Sequence, residues 1–411
     1  RDAEILSVLR GEDNKKTITD AYNKLLINQF HDILPGSHIH PVYEDAMKDY
    51  AEIEKTVDSL IGTGSKYFNT LNFKRDALTF VPNKKGTATR YGVKGNWIIP
   101  NIPALSSASL RATKFNDEWL NCNGNNIETP FYKAVLNDDG SIASLVDKKQ
   151  DRQWVDGDFN KLKIYTDCPG NYDAWDILPN YKDKQIEINV SEKLSLCELD
   201  SECATFKTVL STDKSTWTML IRFFRRSRGI EVENIVDWNE KHKLAKAEFS
   251  CNVLTRKALC DTSAGFIIND GKYGIGFDEN TMSLSLLRAT IRPDVTSDMG
   301  HHNFSYMIYP HENGAVEAGV NKLAFQFNEQ LVKSDVSYNG DTFEPLYLQA
   351  MKDSEDGSMT VIRLSEQDGK RGKIKLSKSV KLLDMLENVI GEAVDTLEYK
   401  PFEIITIGIQ K

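Results

Sequence analysis

The chain has 411 residues, 40% of them hydrophobic, with 51 Lys and Arg against 60 Asp and Glu and a formal net charge of -9. That much apolar material excludes a disordered chain and, at roughly 100–200 residues per domain, calls for two to four domains. The acidic balance offers no basic face for nucleic acid, and no apolar run approaches the roughly 20 residues that cross a bilayer, so neither nucleic acid nor membrane is an expected partner.

The six cysteines (Cys122, Cys168, Cys197, Cys203, Cys251 and Cys260) form no C-x-x-C pair. Their sparse spacing reads as free thiols of a cytoplasmic protein, not as a zinc ribbon or a disulfide framework. The N-terminus, Arg1-Asp2-Ala3-Glu4, lacks the apolar stretch of a signal peptide and starts inside a helical pattern. It reads as the start of a piece cut from a longer chain.

Residues 1–66 follow helical periodicity. Ile5, Leu6 and Leu9 make a short stripe that stops at Gly11. Thr17-Ile18-Thr19-Asp20 predicts a capping box. Ile18, Tyr22, Leu25 and Leu26 follow at helical spacing, and Pro35-Gly36 predicts the end of this second helix. Pro41 suits the first turn of a third helix, with the stripe Val42, Ala46, Tyr50, Ile53, Val57, Leu60 and Ile61 closing at Gly62.

From residue 66 onward, short β-rich runs alternate with Gly, Asn and Asp turn signals. Asn137-Asp138-Asp139-Gly140 between Tyr132–Leu136 and Ile142–Val146 predicts a hairpin. Further strands are expected at Thr216–Phe224, Gly229–Trp238, Ala247–Val253, Gly265–Ile268, Gly274–Phe277, Ser283–Leu287, Ser305–Tyr309, Ala324–Phe327, Met359–Leu364 and Phe402–Ile409, with a helical stretch near Lys381–Ile390. The expected fold is mainly β: an N-terminal three-helix bundle, then a large antiparallel β-sandwich (a supersandwich) and smaller β-sandwich modules. The expected boundaries are 1–66 for the bundle, 67–120 for a small β segment, 121–332 for the large sandwich and 333–411 for a C-terminal β module. The second and fourth of these are short for a core of their own, and pairing between them is expected.

The densest polar cluster in the helical region runs from Asn28 to Gly36 and holds His31 and Asp32. Adjacent helical side chains diverge by roughly 100°, so the two line a helix-end pocket more readily than they share a face. A neutral imidazole is a good divalent-metal ligand, but a zinc site needs about four ligands. On spacing alone, His31 reads either as a satisfied helix-end histidine or as a ligand. Asp173, Trp175 and Asp176 combine an aromatic face with carboxylate acceptors, as sugar sites do; the other reading is a loop anchored by Trp175 in a crevice. His301, His302 and His311 read as surface or strand-capping residues. Arg288 is expected to pair with an acid in the sandwich, and Trp238 to sit in the core with Glu240 at a strand end.

The string Leu25-Leu26-Ile27-Asn28-Gln29-Phe30-His31-Asp32-Ile33-Leu34-Pro35-Gly36-Ser37 closely resembles the helical middle domain of glycoside hydrolase family 38, the retaining α-mannosidases. Tyr172-Asp173-Ala174-Trp175-Asp176 resembles a motif of its bacterial members. Leu284-Ser285-Leu286-Leu287-Arg288, Asp298-Met299-Gly300-His301 and Tyr309-Pro310-His311 resemble their large β-domain, and Pro401-Phe402-Glu403-Ile404 their C-terminal ending. His38 departs from the pattern, where a small residue such as Ser is usual, and this bears on the loop after the helix.

The resemblance implies a zinc-dependent retaining enzyme acting on terminal α-mannosides, with His31 a zinc ligand, Asp32 a sugar contact and zinc gripping the 2- and 3-hydroxyls. It implies a two-carboxylate route through a glycosyl-enzyme. It also implies an N-terminal α/β catalytic domain that carries the nucleophilic Asp and the other zinc ligands, a His and two Asp. That domain is thus an expected partner, beside a mannose-containing oligosaccharide; a homo-oligomer is left open. These 411 residues alone are expected to be inactive and to bind zinc weakly. The alternative is a non-catalytic carbohydrate-binding or scaffold β-sandwich module.

Overall fold

A computed structural model of the chain describes residues 1–113, 115, 118–252, 267–272 and 274–411. Three helices open it: α1 (Asp2–Arg10), α2 (Lys15–Asn28) and α3 (His40–Ile61). Helix α1 closes on Gly11 in the left-handed conformation (φ 67°), where a Cβ would be strained. Arg10 in its last turn donates to the α3 carbonyls of Leu60 (2.9 Å) and Ile61 (2.6 Å), satisfying groups that a helix end leaves open.

The bundle differs from expectation at three points. Helix α2 begins at Lys15 behind Asn14, so Thr17 lies inside it and does not cap it. It ends at Asn28, well before Pro35. There the buried Asn28 amide donates to the Lys24 carbonyl and to Asp49 on α3 (3.0 Å each), a side-chain bond that competes with continued helix. Third, the apolar stripes are not sealed inside. Ala46 is the fully buried residue of α3, while Tyr22, Leu26, Ile27, Tyr43 and Met47 are exposed.

The β region holds a six-stranded antiparallel sheet in the order Asn189–Leu199, Cys203–Ser211, Thr216–Phe224, Ile230–Trp238, Gly300–Ile308, Ile267–Asn269. It faces a four-stranded sheet of Val155–Thr166, Lys243–Cys251, Thr281–Ala289 and Ile275–Asp278 and a five-stranded one over residues 121–153. Inward residues of all three, among them Leu145, Phe159, Trp217, Phe249 and Tyr306, form one continuous core. Trp238 is fully buried at its strand end, and the neighbouring Glu240 accepts from Thr212 and Ser215. The hairpin Tyr132–Leu136/Ile142–Asp147 forms as expected. Gly140 in its turn is needed twice over: its φ is +81°, and a Cβ would sit 2.9 Å from Thr208.

A second core joins distant parts of the chain. Ile5 and Leu6 of α1, Phe68 and Leu105 pack with Leu348, Ile362, Leu364 and Ile407 of the C-terminal five-stranded sheet. Tyr67–Phe68 pairs with both Ser107–Ala108 and Val332–Lys333. The small sheet of Thr79–Pro82, Ala88–Arg90 and Val93–Ile98 docks on the large sheet through buried ions. Arg222 bonds Glu231 (3.1 Å) and Glu233 (2.7 Å), and Arg90 reaches the same Glu231 at 2.9 Å.

Two element assignments are corrected. Ala324–Phe327 belongs to helix α4 (Val320–Asn328), with Val320 and Ala324, one turn apart, buried against Ile268 and Met307. A four-residue apolar run cannot separate the two periodicities. Lys381–Ile390 is the end of strand Gly372–Leu383 followed by a turn, in which Asp384 accepts from the amides of Leu386 (2.8 Å) and Asn388 (2.9 Å). Val253, Cys260 and residues 265–266 lie outside the described residues.

Candidate functional site: the bundle tip and the seam behind it

Beyond Asn28 the chain makes tight turns. Ile33 N and Leu34 N both donate to the Phe30 carbonyl, and Gly36 N donates to Ile33 O. His31 and Asp32 therefore sit on turns and not on the helix, and the 100° divergence does not apply. Their side chains come together: His31 Nε2 lies 3.5 Å from Asp32 Oδ2. The buried Ser37 hydroxyl donates to Asp32 Oδ1 at 2.9 Å and orients the carboxylate. The imidazole stays open, with its side chain 77% exposed and its ring 4.2 Å from that of Phe30. Of the apolar residues near the pair in sequence, Leu26, Ile27, Phe30 and Leu34 are each more than half exposed. Exposed apolar side chains this close in the chain to an ionisable pair are unusual for a surface that faces only water.

The tip offers a metal one imidazole and one carboxylate. Among the described residues no three His, Cys, Asp or Glu side chains converge as a metal site. The donor chemistry fits a zinc ligand in kind, and falls short of the number zinc takes.

The loop Tyr172–Asp176 reverses the crevice reading. Trp175 does not anchor it: the indole is 54% exposed. The anchor is Asp173, which is buried and accepts from the amides of Ile291 (2.7 Å) and Arg292 (3.2 Å), with His242 Nε2 at 3.3 Å. Asp176 is exposed, and its backbone carbonyl accepts from Arg288. Arg288 Nε donates to buried Asp167 at 2.8 Å. His301 meets Asp237 (3.1 Å), His302 the Asp298 carbonyl (2.7 Å) and His311 the Glu312 carbonyl (3.4 Å), which scatters the three rings over separate partners.

Behind the tip a cleft of about 650 Å³ opens at the seam between bundle and sandwich, bordered by Ile33–Gly36 on one side and by Ala174, Arg288 and Ser297–Gly300 on the other. The seam is held by His40 at the start of α3. Its Nδ1 lies 3.0 Å from Asp294 Oδ2 and 3.1 Å from Thr296 Oγ1. Burial pushes the Asp294 carboxyl up, but the Thr296 hydroxyl and amide and the His40 ring together hold it below the ordinary carboxylate range. Tyr43, Tyr50, Asn239 and Thr296 join this cleft. Nothing in their spacing announced it, because they come from segments some 200 residues apart.

Three family models match the chain. Residues 1–67 match the alpha mannosidase middle domain, 127–268 the glycosyl hydrolases family 38 C-terminal domain, and 345–407 the glycosyl hydrolases family 38 C-terminal beta sandwich domain. Among curated proteins the chain is similar to an alpha-mannosidase of Saccharomyces cerevisiae, at 25% identity over 95% of this chain and 41% of that protein. It is also similar to alpha-mannosidase G of Dictyostelium discoideum (23% identity; 95% of this chain, 48% of that one) and to alpha-mannosidase 2C1 of Mus musculus (26%; 80% and 38%). The chain thus spans less than half the length of these relatives. Its fold is shared with an alpha-mannosidase from Enterococcus faecalis V583 (TM-score 0.72, 13% identity), covering 100% of this chain and 65% of that one.

Proposed function

This chain belongs to glycosyl hydrolase family 38, and from that membership we propose that it forms the middle and C-terminal part of a zinc-dependent, retaining α-mannosidase acting on terminal α-mannosides. The observation that carries this reading is the open His31–Asp32 pair beside the exposed Phe30 ring.

When bound, zinc would supply a Lewis-acid grip on the sugar's 2- and 3-hydroxyls. His31 would hold the zinc through a ring nitrogen. Asp32, with one oxygen held by Ser37, accepts a hydrogen bond from a sugar hydroxyl through its free lone pairs. Phe30, Leu34, Leu26 and Ile27 dock the family's N-terminal α/β domain, which brings the remaining zinc ligands and the nucleophilic Asp. Of the loop residues, Trp175 and Asp176 stay available to a sugar, whereas Asp173 acts by fixing their loop. Cys122, Cys168, Cys197, Cys203 and Cys251 are all free thiols, which supports a cytoplasmic location.

The 411 residues alone are expected to show no hydrolysis of an aryl α-mannoside and no tight zinc uptake by calorimetry. Joined to the α/β domain, the protein should bind zinc, and His31→Ala should cost most of the metal and about 100-fold or more in kcat/KM, roughly 2.7 kcal/mol. Tight stoichiometric zinc uptake by the 411 residues, or full activity and metal content in the variant, overturns the reading. In that event saturable glycan binding by this chain would favour a non-catalytic carbohydrate-binding module.

A further inference from the structure

Another cavity, of about 450 Å³, opens where α1 and α2 face the strands Tyr347–Asp353 and Met359–Ser365 of the C-terminal sheet. Small-molecule sites usually measure roughly 300–1,000 Å³. Its walls carry the carboxylates of Glu4, Glu12, Asp13, Asp353 and Glu355. The cations beside them are committed: Lys15 pairs with Glu355 (3.0 Å), Lys352 with Glu387, and Arg363 donates to Thr406 (3.3 Å). An anion is therefore disfavoured. A compact metal ion is disfavoured too, because among the described residues no three acids converge as a metal site. Glu4 is more than nine-tenths buried, and the Tyr22 hydroxyl donates to its Oε2 at 2.8 Å. Burial and the Glu4 charge push the Tyr22 phenol up, so it stays a donor. The ion pair of Glu4 among the described residues, with the Arg1 amino group at 4.0 Å, falls on the same oxygen. No donor among them engages Glu4 Oε1. Val8, Ile18 and Ala350, all half-buried, add apolar wall.

We infer that this cavity binds a linear aliphatic polyamine, with one ammonium on Glu4, another on Asp13 at the rim, and methylenes along Val8 and Ile18. Other ligand classes fit worse. A purely apolar guest would strip water from the open Glu4 oxygen and from Asp13. A polyol would bond these acceptors and leave their charge unbalanced, whereas spaced ammonium groups supply both donors and charge. The Tyr22 bond holds the Glu4 carboxylate in place before a ligand arrives, which lowers the cost of ordering it. The cavity walls come from the helices and from the C-terminal sheet, so a ligand here favours the state in which the two are joined and stabilises the fold by mass action. The inference does not depend on the mannoside reading of the bundle tip.

The test is calorimetric titration of the chain with spermidine, and with ethylamine as a single-ammonium control, at physiological ionic strength, where diffuse attraction to an acidic surface is screened. Spermidine should bind saturably, about tenfold more tightly than ethylamine, and should raise the melting temperature. Glu4→Gln keeps an acceptor for Tyr22 and should weaken spermidine by about tenfold. Thr19→Trp, which fills the cavity from an exposed position on α2, should abolish binding. Glu392→Gln removes the same charge at an exposed site outside the cavity and should bind as the parent does. Melting curves without ligand confirm that all three variants fold. Absence of saturable binding, ethylamine binding as tightly as spermidine, or binding retained by Thr19→Trp would each overturn the site. Equal weakening by Glu4→Gln and Glu392→Gln would overturn it as well, since it would reduce the effect to net charge.

Discussion

Asp173 holds two backbone amides and a histidine on a single carboxylate oxygen, while its other oxygen is buried with no hydrogen-bond partner among the described residues. That commitment is why a residue between Tyr172 and Ala174, two positions before Trp175, serves a loop before it serves a ligand. Asp173→Ala leaves the Ile291 and Arg292 amides unsatisfied and should destabilise the chain by about 1–3 kcal/mol in denaturant melts. Trp175→Ala, at a half-exposed position, should leave the melt unchanged. Equal effects of the two, or none from Asp173→Ala, would show that the carboxylate does not carry the loop. At this level the sequence was partly legible. The aromatic–acid pattern marked the segment, and the carriers of its geometry, the amides of 291–292, had no side-chain signature at all. His31 and Asp32 were legible as a pair through their family string, but their 3.5 Å approach depended on α2 ending early, which Asn28 imposes through Asp49 on another helix.

Strands with strong β composition and clear alternation, such as Thr216–Phe224, kept their expected bounds. Strands rich in charged or mixed residues, such as Asn189–Leu199 with its mostly exposed pattern, gave no apolar period to read and are held by pairing to Cys203–Ser211. Helix α1 shows the same dependence on a distant partner. It is nine residues long, too short to persist alone in water. It owes its stability to Ile5 and Leu6 in the core of the C-terminal sheet. Leu6→Ala should therefore cost about 2–5 kcal/mol, and hydrogen exchange should quicken in Tyr347–Asp353 and Met359–Ser365 as well as in α1. Protection lost from α1 alone would mean that the two ends of the chain do not share a cooperative core.

Across the whole molecule the cores close, but apolar side chains stay exposed both on the bundle and at the C-terminal turn, where Met385 is 60% and Leu386 83% exposed. Leu26, Ile27, Phe30 and Leu34 leave an apolar face that water disfavours. The chain alone should therefore self-associate with rising concentration and bind a hydrophobic dye. Phe30→Glu with Leu34→Glu should reduce both, with little change in melting temperature, because neither side chain supports a core. Unchanged association, measured by sedimentation, would mean that another surface drives it.

The acidic charge, the helical period before residue 66, the β-rich runs after it and the Phe-His-Asp string are properties of local composition and spacing, and they survived as written in the chain. The end of α2, the helical state of Ala324–Phe327, the anchoring work of Asp173 and the cleft between His40 and Asp294 did not follow from local order. Each is settled by a contact between residues far apart in the chain: Asn28 with Asp49, Ala324 with Met307, Asp173 with Ile291, His40 with Asp294. Such pairings yield their free energy only when packing brings the partners together, so no window of sequence contains them.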